Sequence, residues 1–268
     1  MLQFSGTCYL TSAFNLVILG EYTKRIIIDA INMEMLSQTE DINFVKQPIE
    51  EGVCVDVSLL KTKRNRIKYY SKIFYNTICS TKSLARVNPA SKDLFKEVSP
   101  YFSSTDLGFG GTPVGILFSI MMDLSINFWI MDQNSVLYHP YSSSIPVENL
   151  FTLFRMGHLK EAIGYLERVE EGSAEPDIIF FIKHDKEDID YGENRSFPKP
   201  PENFHVETAS IAVIYNKPDY DNPPKRKKSG HALCGFECDG YYKLFDSAYN
   251  IIENCDWTVK PGLKNNTY

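Results

Sequence analysis

The stretch Ser229-Gly230-His231-Ala232-Leu233-Cys234-Gly235-Phe236-Glu237-Cys238 meets Asp239-Gly240 and returns as Tyr241-Tyr242-Lys243-Leu244-Phe245-Asp246. Asp-Gly between two β-rich runs is a two-residue hairpin signal. With Asp239 and Gly240 as the loop, Cys238 opposes Tyr241. Counting outward puts Leu233 opposite Asp246 and His231 on the same face of the sheet, two residues further along its strand. Diagonal neighbours of this kind stand roughly 7–8 Å apart and meet through longer side chains, so the Asp246 carboxylate is placed to hold the His231 ring.

At the other end of the chain, Leu10, Phe14, Val17 and Ile18 recur at helical spacing from Thr7 onward, and Gly20 is placed to stop the helix. Cys8 then falls in the first turn, where the positive end of the backbone dipole and unpaired N–H groups favour thiolate over thiol. A lone cysteine is more often structural, so the reading rests on its neighbours. Gln3, five residues upstream, carries an amide able to donate to a developing oxyanion beside the Cys8 N–H. Ser5-Gly6-Thr7 supplies a small-residue approach for a substrate carbonyl. Histidine on the sheet and cysteine on the helix meet across the layer boundary as a Cys8–His231–Asp246 triad. His139, His158, His184 and His205 have no comparable setting.

Between these ends, periodicity predicts helices over residues 24–36, 69–79, 114–122, 148–156 and 158–169. The final third reads as short β-rich runs at 178–183, 206–215, 231–238 and 241–245, forming an antiparallel sheet. The polar, proline-rich stretches 185–203 and 216–229 read as exposed loops, the second a candidate gating element beside His231. The fold class expected is α+β and papain-like, with an N-terminal helical layer carrying Cys8 packed on the sheet carrying His231 and Asp246. One catalytic domain spans 1–268, mainly helical over 1–170 and mainly antiparallel β over 171–268.

Composition narrows the chemistry. A chain of 268 residues has room for one sizeable core, and 43% apolar content favours a packed globule. The formal net charge of −6, with both signs interspersed, argues against nucleic acid as the main partner. Lys225-Arg226-Lys227-Lys228 is the exception and reads as a solvated loop. The cysteines at 8, 54, 79, 234, 238 and 255 show no CxxC pair and no zinc-ligand spacing, so no metal and no cofactor is expected.

The glycine-rich run Thr105-Asp106-Leu107-Gly108-Phe109-Gly110-Gly111-Thr112-Pro113 lacks the Lys-Ser/Thr ending of a phosphate loop and reads as plain loop. The longest apolar segment, 114–131, is interrupted by Asp123, Ser125 and Asn127 and reads as a buried helix, not a membrane span. The apolar stretch Leu16-Val17-Ile18-Leu19 has no basic leader and no cleavage site, so an intracellular, cytoplasmic address is expected.

Two boxes resemble those of papain-like cysteine peptidases, specifically the ubiquitin-specific protease kind. Gly6-Thr7-Cys8-Tyr9-Leu10 looks like the family's Gly-Asn-Thr-Cys-Tyr box, and Ser229-Gly230-His231 with Tyr242-Lys243-Leu244-Phe245-Asp246 looks like its Ser-Gly-His and Trp-x-x-Phe-Asp box. The match covers about forty residues at the two ends. It implies Cys8 as nucleophile, His231 as base, Asp246 as the orienting third residue, and Gln3 where the family places an oxyanion donor. Ala232 departs from the usual aromatic after the histidine, Tyr241-Tyr242 replaces the tryptophan position, and the zinc-binding fingers insertion is missing. The run around His231, Phe245-Asp246-Ser247 and Asp256-Trp257 is also similar to cysteine-peptidase-like proteins of large DNA viruses.

The resemblance implies thiol-dependent amide hydrolysis acting on a protein or peptide, ubiquitin or a ubiquitin-like protein among the substrates, in host cytoplasm or a virion if viral. The rivals are a peptidase fold that binds without turnover, a viral precursor-processing protease, and an acyltransferase using the same triad.

Overall fold

The computed structural model describes residues 8–35, 62–79, 113–182, 201–218, 226–247, 249 and 251–254. Gln3, Lys225 and residues 105–112 of the glycine-rich run lie outside them. The described chain is α+β.

Among the described residues, four helices precede the first strand. Helix α1 (Cys8–Leu19) is followed after the Gly20 break by α2 (Glu21–Met35), then α3 (Lys63–Cys79) and α4 (Pro113–Asp123). Each buries the residues that helical spacing brings together: Ile27, Ile31 and Met35 on α2, and Ile67, Tyr70 and Phe74 on α3. Helix α4 is buried on nearly every side, from Gly115 through Met121, so it runs through the core. Phe118 is the hub there, with ring centroids 4.7 Å from Phe154, 5.7 Å from Phe151 and 5.9 Å from Phe128. Edge-on and tilted contacts of this kind add to the burial of large apolar area.

The strands among the described residues form two four-stranded sheets. The first has the order β3-β2-β1-β4, from β1 (Phe128–Met131), β2 (Leu137–Ser143), β3 (Leu166–Arg168) and β4 (Ile178–Phe181). Helices α5 (Val147–Met156) and α6 (Leu159–Gly164) lie in the connection from β2 to β3. The second sheet has the order β5-β6-β7-β8, from β5 (Thr208–Pro218), β6 (Arg226–Cys238), β7 (Tyr241–Asp246) and β8 (Ile251–Asn254).

The first sheet corrects the sequence-based expectation in three places. The apolar run 114–131 is not one helix: α4 ends at Asp123, and Phe128–Met131 is a strand buried on both faces. The 1–170 portion therefore contains β1, β2 and β3, and the helix expected over 158–169 stops at Gly164 to let β3 form. The run at 178–183 does not join the C-terminal sheet; β4 pairs in parallel with β1, Phe128 opposite Ile178 and Met131 opposite Phe181.

The second sheet follows the expected register. Asp239 and Gly240 both have positive φ, 54° and 75°, as a type I′ turn demands, and Cys238 pairs with Tyr241. One expectation fails here too. Residues 216–218 and 226–229 are not loop, because the β5–β6 ladder continues through Asn216–Lys228 and Lys217–Lys227 to Pro218–Arg226. Backbone pairing propagates along a ribbon whatever the hydrophobicity of its residues, and Pro218, which has no N–H to donate, falls on the last pair.

Candidate active site

Helix α1 packs on β5 and β6 as well as on α2 and α4, which brings the first turn of the helix against the strand carrying His231. Its apolar residues Tyr9, Ala13, Phe14, Leu16 and Val17 are buried, and so are its polar residues Thr11, Ser12 and Asn15. Cys8, at the first position of this buried helix, turns a half-buried thiol toward the sheet.

His231 stands on β6 and Asp246 ends β7, and their register makes them the diagonal neighbours the hairpin count requires. His231 Nε2 lies 2.9 Å from Asp246 Oδ1, a charge-assisted distance, with the two side chains only 14% and 24% exposed. The ring also hydrogen-bonds Cys8. The structure thus brings together Cys8, His231 and Asp246; Gln3 lies outside the described residues.

The electrostatics of the three groups are coupled. The hydrogen bond with Asp246 is the largest influence on His231, the bond with Cys8 the next. Both outweigh the burial that opposes charge, so the imidazolium persists up to about 10 instead of 6.5. For Cys8 burial is the largest single influence and raises the thiol. It is overcome by the bond from His231, by N–H groups of Ala232 and Tyr9 directed at the sulfur, and by the charge on His231, so the thiol ends below its ordinary 9.0. Both directions favour a thiolate beside an imidazolium. Cys234 shows the contrast: it is fully buried, and burial drives its thiol far upward.

Sequence reasoning missed four contributors to this arrangement: the Ala232 N–H, Thr11, Ser12 and Ser247. Thr11 Oγ1 donates to the Cys8 carbonyl at 3.3 Å and lies 3.4 Å from the Ser247 hydroxyl, next to Asp246. Ser12 Oγ donates to Leu233 O at 3.1 Å and lies 2.9 Å from Ser210 Oγ. Ser12 is four residues beyond Cys8, hence on the same helix face, and that spacing was the available signal.

Among the described residues no group of three or more His, Cys, Asp or Glu side chains gathers as a metal site, and no helix is long and apolar enough to cross a membrane. Compared with protein-family models, with curated proteins and with solved structures, the chain gives no match.

Proposed function

We propose that this protein is a papain-like cysteine peptidase or isopeptidase, with Cys8 as nucleophile, His231 as general acid and base, and Asp246 as the residue that orients the ring. The observation that carries the reading is one ring joined to a carboxylate and a thiol: Asp246 lies 2.9 Å from Nε2, and the ring hydrogen-bonds Cys8, at the first position of a helix.

The Cys8 thiolate attacks the substrate carbonyl carbon, and as the C–S bond forms the carbonyl electron pair moves onto oxygen. The Cys8 N–H and Gln3 receive that oxyanion, Gln3 being assigned by its place in the sequence. On collapse the C–N bond breaks and the leaving amine takes a proton from His231, leaving a thioester and a neutral imidazole. The ring then removes a proton from water, which attacks the thioester; the carboxylic product departs and the thiolate–imidazolium pair is restored. No cofactor enters this cycle.

The likeness of the two boxes to those of ubiquitin-specific proteases supports a protein substrate bearing ubiquitin or a ubiquitin-like partner, met inside the cell. The test is incubation with ubiquitin carrying a C-terminal thiol-reactive electrophile, the adduct located by intact and peptide mass. A covalent adduct at Cys8, lost in His231→Ala, is the expected result. A folded sample that forms no adduct would redirect the reading to another peptide substrate, and amide hydrolysis retained by pure Cys8→Ala would sink the nucleophile assignment.

A further inference from the structure

Three features outside the triad stand near it: the basic end of the β5–β6 ribbon, the exposed Ile251 and Ile252 on edge strand β8, and the buried polar side chains of α1. The third is joined to both catalytic strands by hydrogen bonds.

Ser12 is 1% exposed and has one hydroxyl proton. That proton goes to Leu233 O, so the contact with Ser210 is one in which Ser12 Oγ accepts. The side chain therefore ties α1 to β6 through Leu233, two residues from His231, and to β5 through Ser210. Cys8 and Ser12 sit one above the other on the same face of α1. A helix held by apolar packing alone slides or rotates by small amounts at little cost. A directed hydrogen bond to a buried carbonyl, one turn from the nucleophile, fixes rotation and translation together, because losing it leaves a buried acceptor short of a partner. A second tie, Ser247 to Thr11 and Thr11 to the Cys8 carbonyl, holds the first turn against the residue that follows Asp246.

We infer that Ser12 is a positioning residue for the nucleophile: its bonds to Leu233 O and Ser210 set the rotation of α1 that points Cys8 at His231. The inference rests on the peptidase reading. It is tested on the full chain by the rate of iodoacetamide reaction at Cys8, located by peptide mass and followed from acidic to alkaline pH. Ser12→Ala should slow Cys8 at neutral pH about tenfold, since catalytic pairs tolerate displacements well under 1 Å. It should also move the rise of the profile up toward an ordinary thiol. Ser71→Ala is the control, for Ser71 is equally buried and bonds Ile67 O at 2.6 Å on α3. It should leave the Cys8 profile native.

A native profile in Ser12→Ala, or an equal shift in Ser71→Ala, would overturn the inference and leave the peptidase reading standing. An ordinary thiol profile in the native protein would overturn the reading and the inference with it. Should Ser12→Ala fail to fold, Ser12→Cys, which keeps the side chain's size and weakens both bonds, reads the same tie, and an unchanged profile there overturns the inference.

Discussion

Asp246 Oδ1 lies 2.9 Å from His231 Nε2, and this contact sets the pH window in which the proposed chemistry runs. Activity requires Cys8 deprotonated and His231 protonated. It rises as the thiol ionises, below its ordinary 9.0, and falls as the imidazolium loses its proton at about 10. Asp246→Asn removes the largest influence raising His231. The alkaline limb of hydrolysis should therefore move down toward 6.5 while the fold persists. An alkaline limb unmoved in Asp246→Asn would separate the carboxylate from the ring's protonation.

The same proton is linked to stability. In the unfolded chain His231 has the ordinary value near 6.5, in the folded chain about 10, so the native state holds the proton more tightly. Its contribution is complete below 6.5 and is lost as pH rises through about 10. Denaturant unfolding of native protein and His231→Gln should show the largest gap in acid and a closing gap toward about 10. A gap that widens with pH would mean the ring is neutral in the folded state.

Glu207 supplies from the far end of the chain what Gly20 cannot supply from its own position. The residue before α2 has no side chain to cap the helix, and the Glu207 carboxylate instead accepts from the N–H groups of Tyr22 and Thr23, the latter at 3.1 Å, and from Thr23 Oγ1 at 2.8 Å. A Cβ added at Gly20 would stand 2.7 Å from Glu207 Oε2 and 3.1 Å from Leu16 O, so alanine there makes the flexible carboxylate end shift. Glu207→Ala should cost about 0.5–2 kcal/mol, the range for losing a helix cap. Gly20→Ala should cost less, since the carboxylate end can shift aside and alanine ordinarily stabilises a chain relative to glycine. Thermal melts of both variants check the order.

The hairpin holding His231 and Asp246 was legible because everything that specifies it is local: Asp239-Gly240 dictates the turn, and the turn dictates the register. Cys8 in a first helical turn was legible for the same reason, with Gly20 marking the end. The first sheet was not. Phe128-Trp129-Ile130-Met131 is buried on both faces, so it has no alternation and merges with the apolar run of α4 before it. Its parallel partner β4 lies about fifty residues away in sequence, beyond the reach of any local pattern. One signal was available: Asp132-Gln133-Asn134-Ser135 is turn-forming sequence, and Asp132 Oδ1 accepts from the N–H groups of Asn134 at 2.9 Å and Val136 at 3.0 Å, reversing the chain from β1 to β2. The polar tie at Ser12 was hidden because its partners, Leu233 O and Ser210, are about two hundred residues distant.

Arg66 and Asp123 form a buried bidentate pair between α3 and α4, Nε to Oδ2 at 2.7 Å and Nη2 to Oδ1 at 2.6 Å, each side chain 9% exposed. Desolvating two charges offsets much of their attraction, whereas removing one partner strands the other in the interior. Asp123→Ala should therefore destabilise by about 3–5 kcal/mol, while replacing both by apolar residues of similar volume, Arg66→Met with Asp123→Leu, should cost far less or stabilise. Denaturant unfolding of the single and double variants measures the difference. Because the pair lies on α3 and α4, away from the strands carrying His231 and Asp246, the double variant should keep the native pH profile of Cys8 alkylation. A double variant as unstable as Asp123→Ala would show that the pair supplies packing that Met and Leu do not replace.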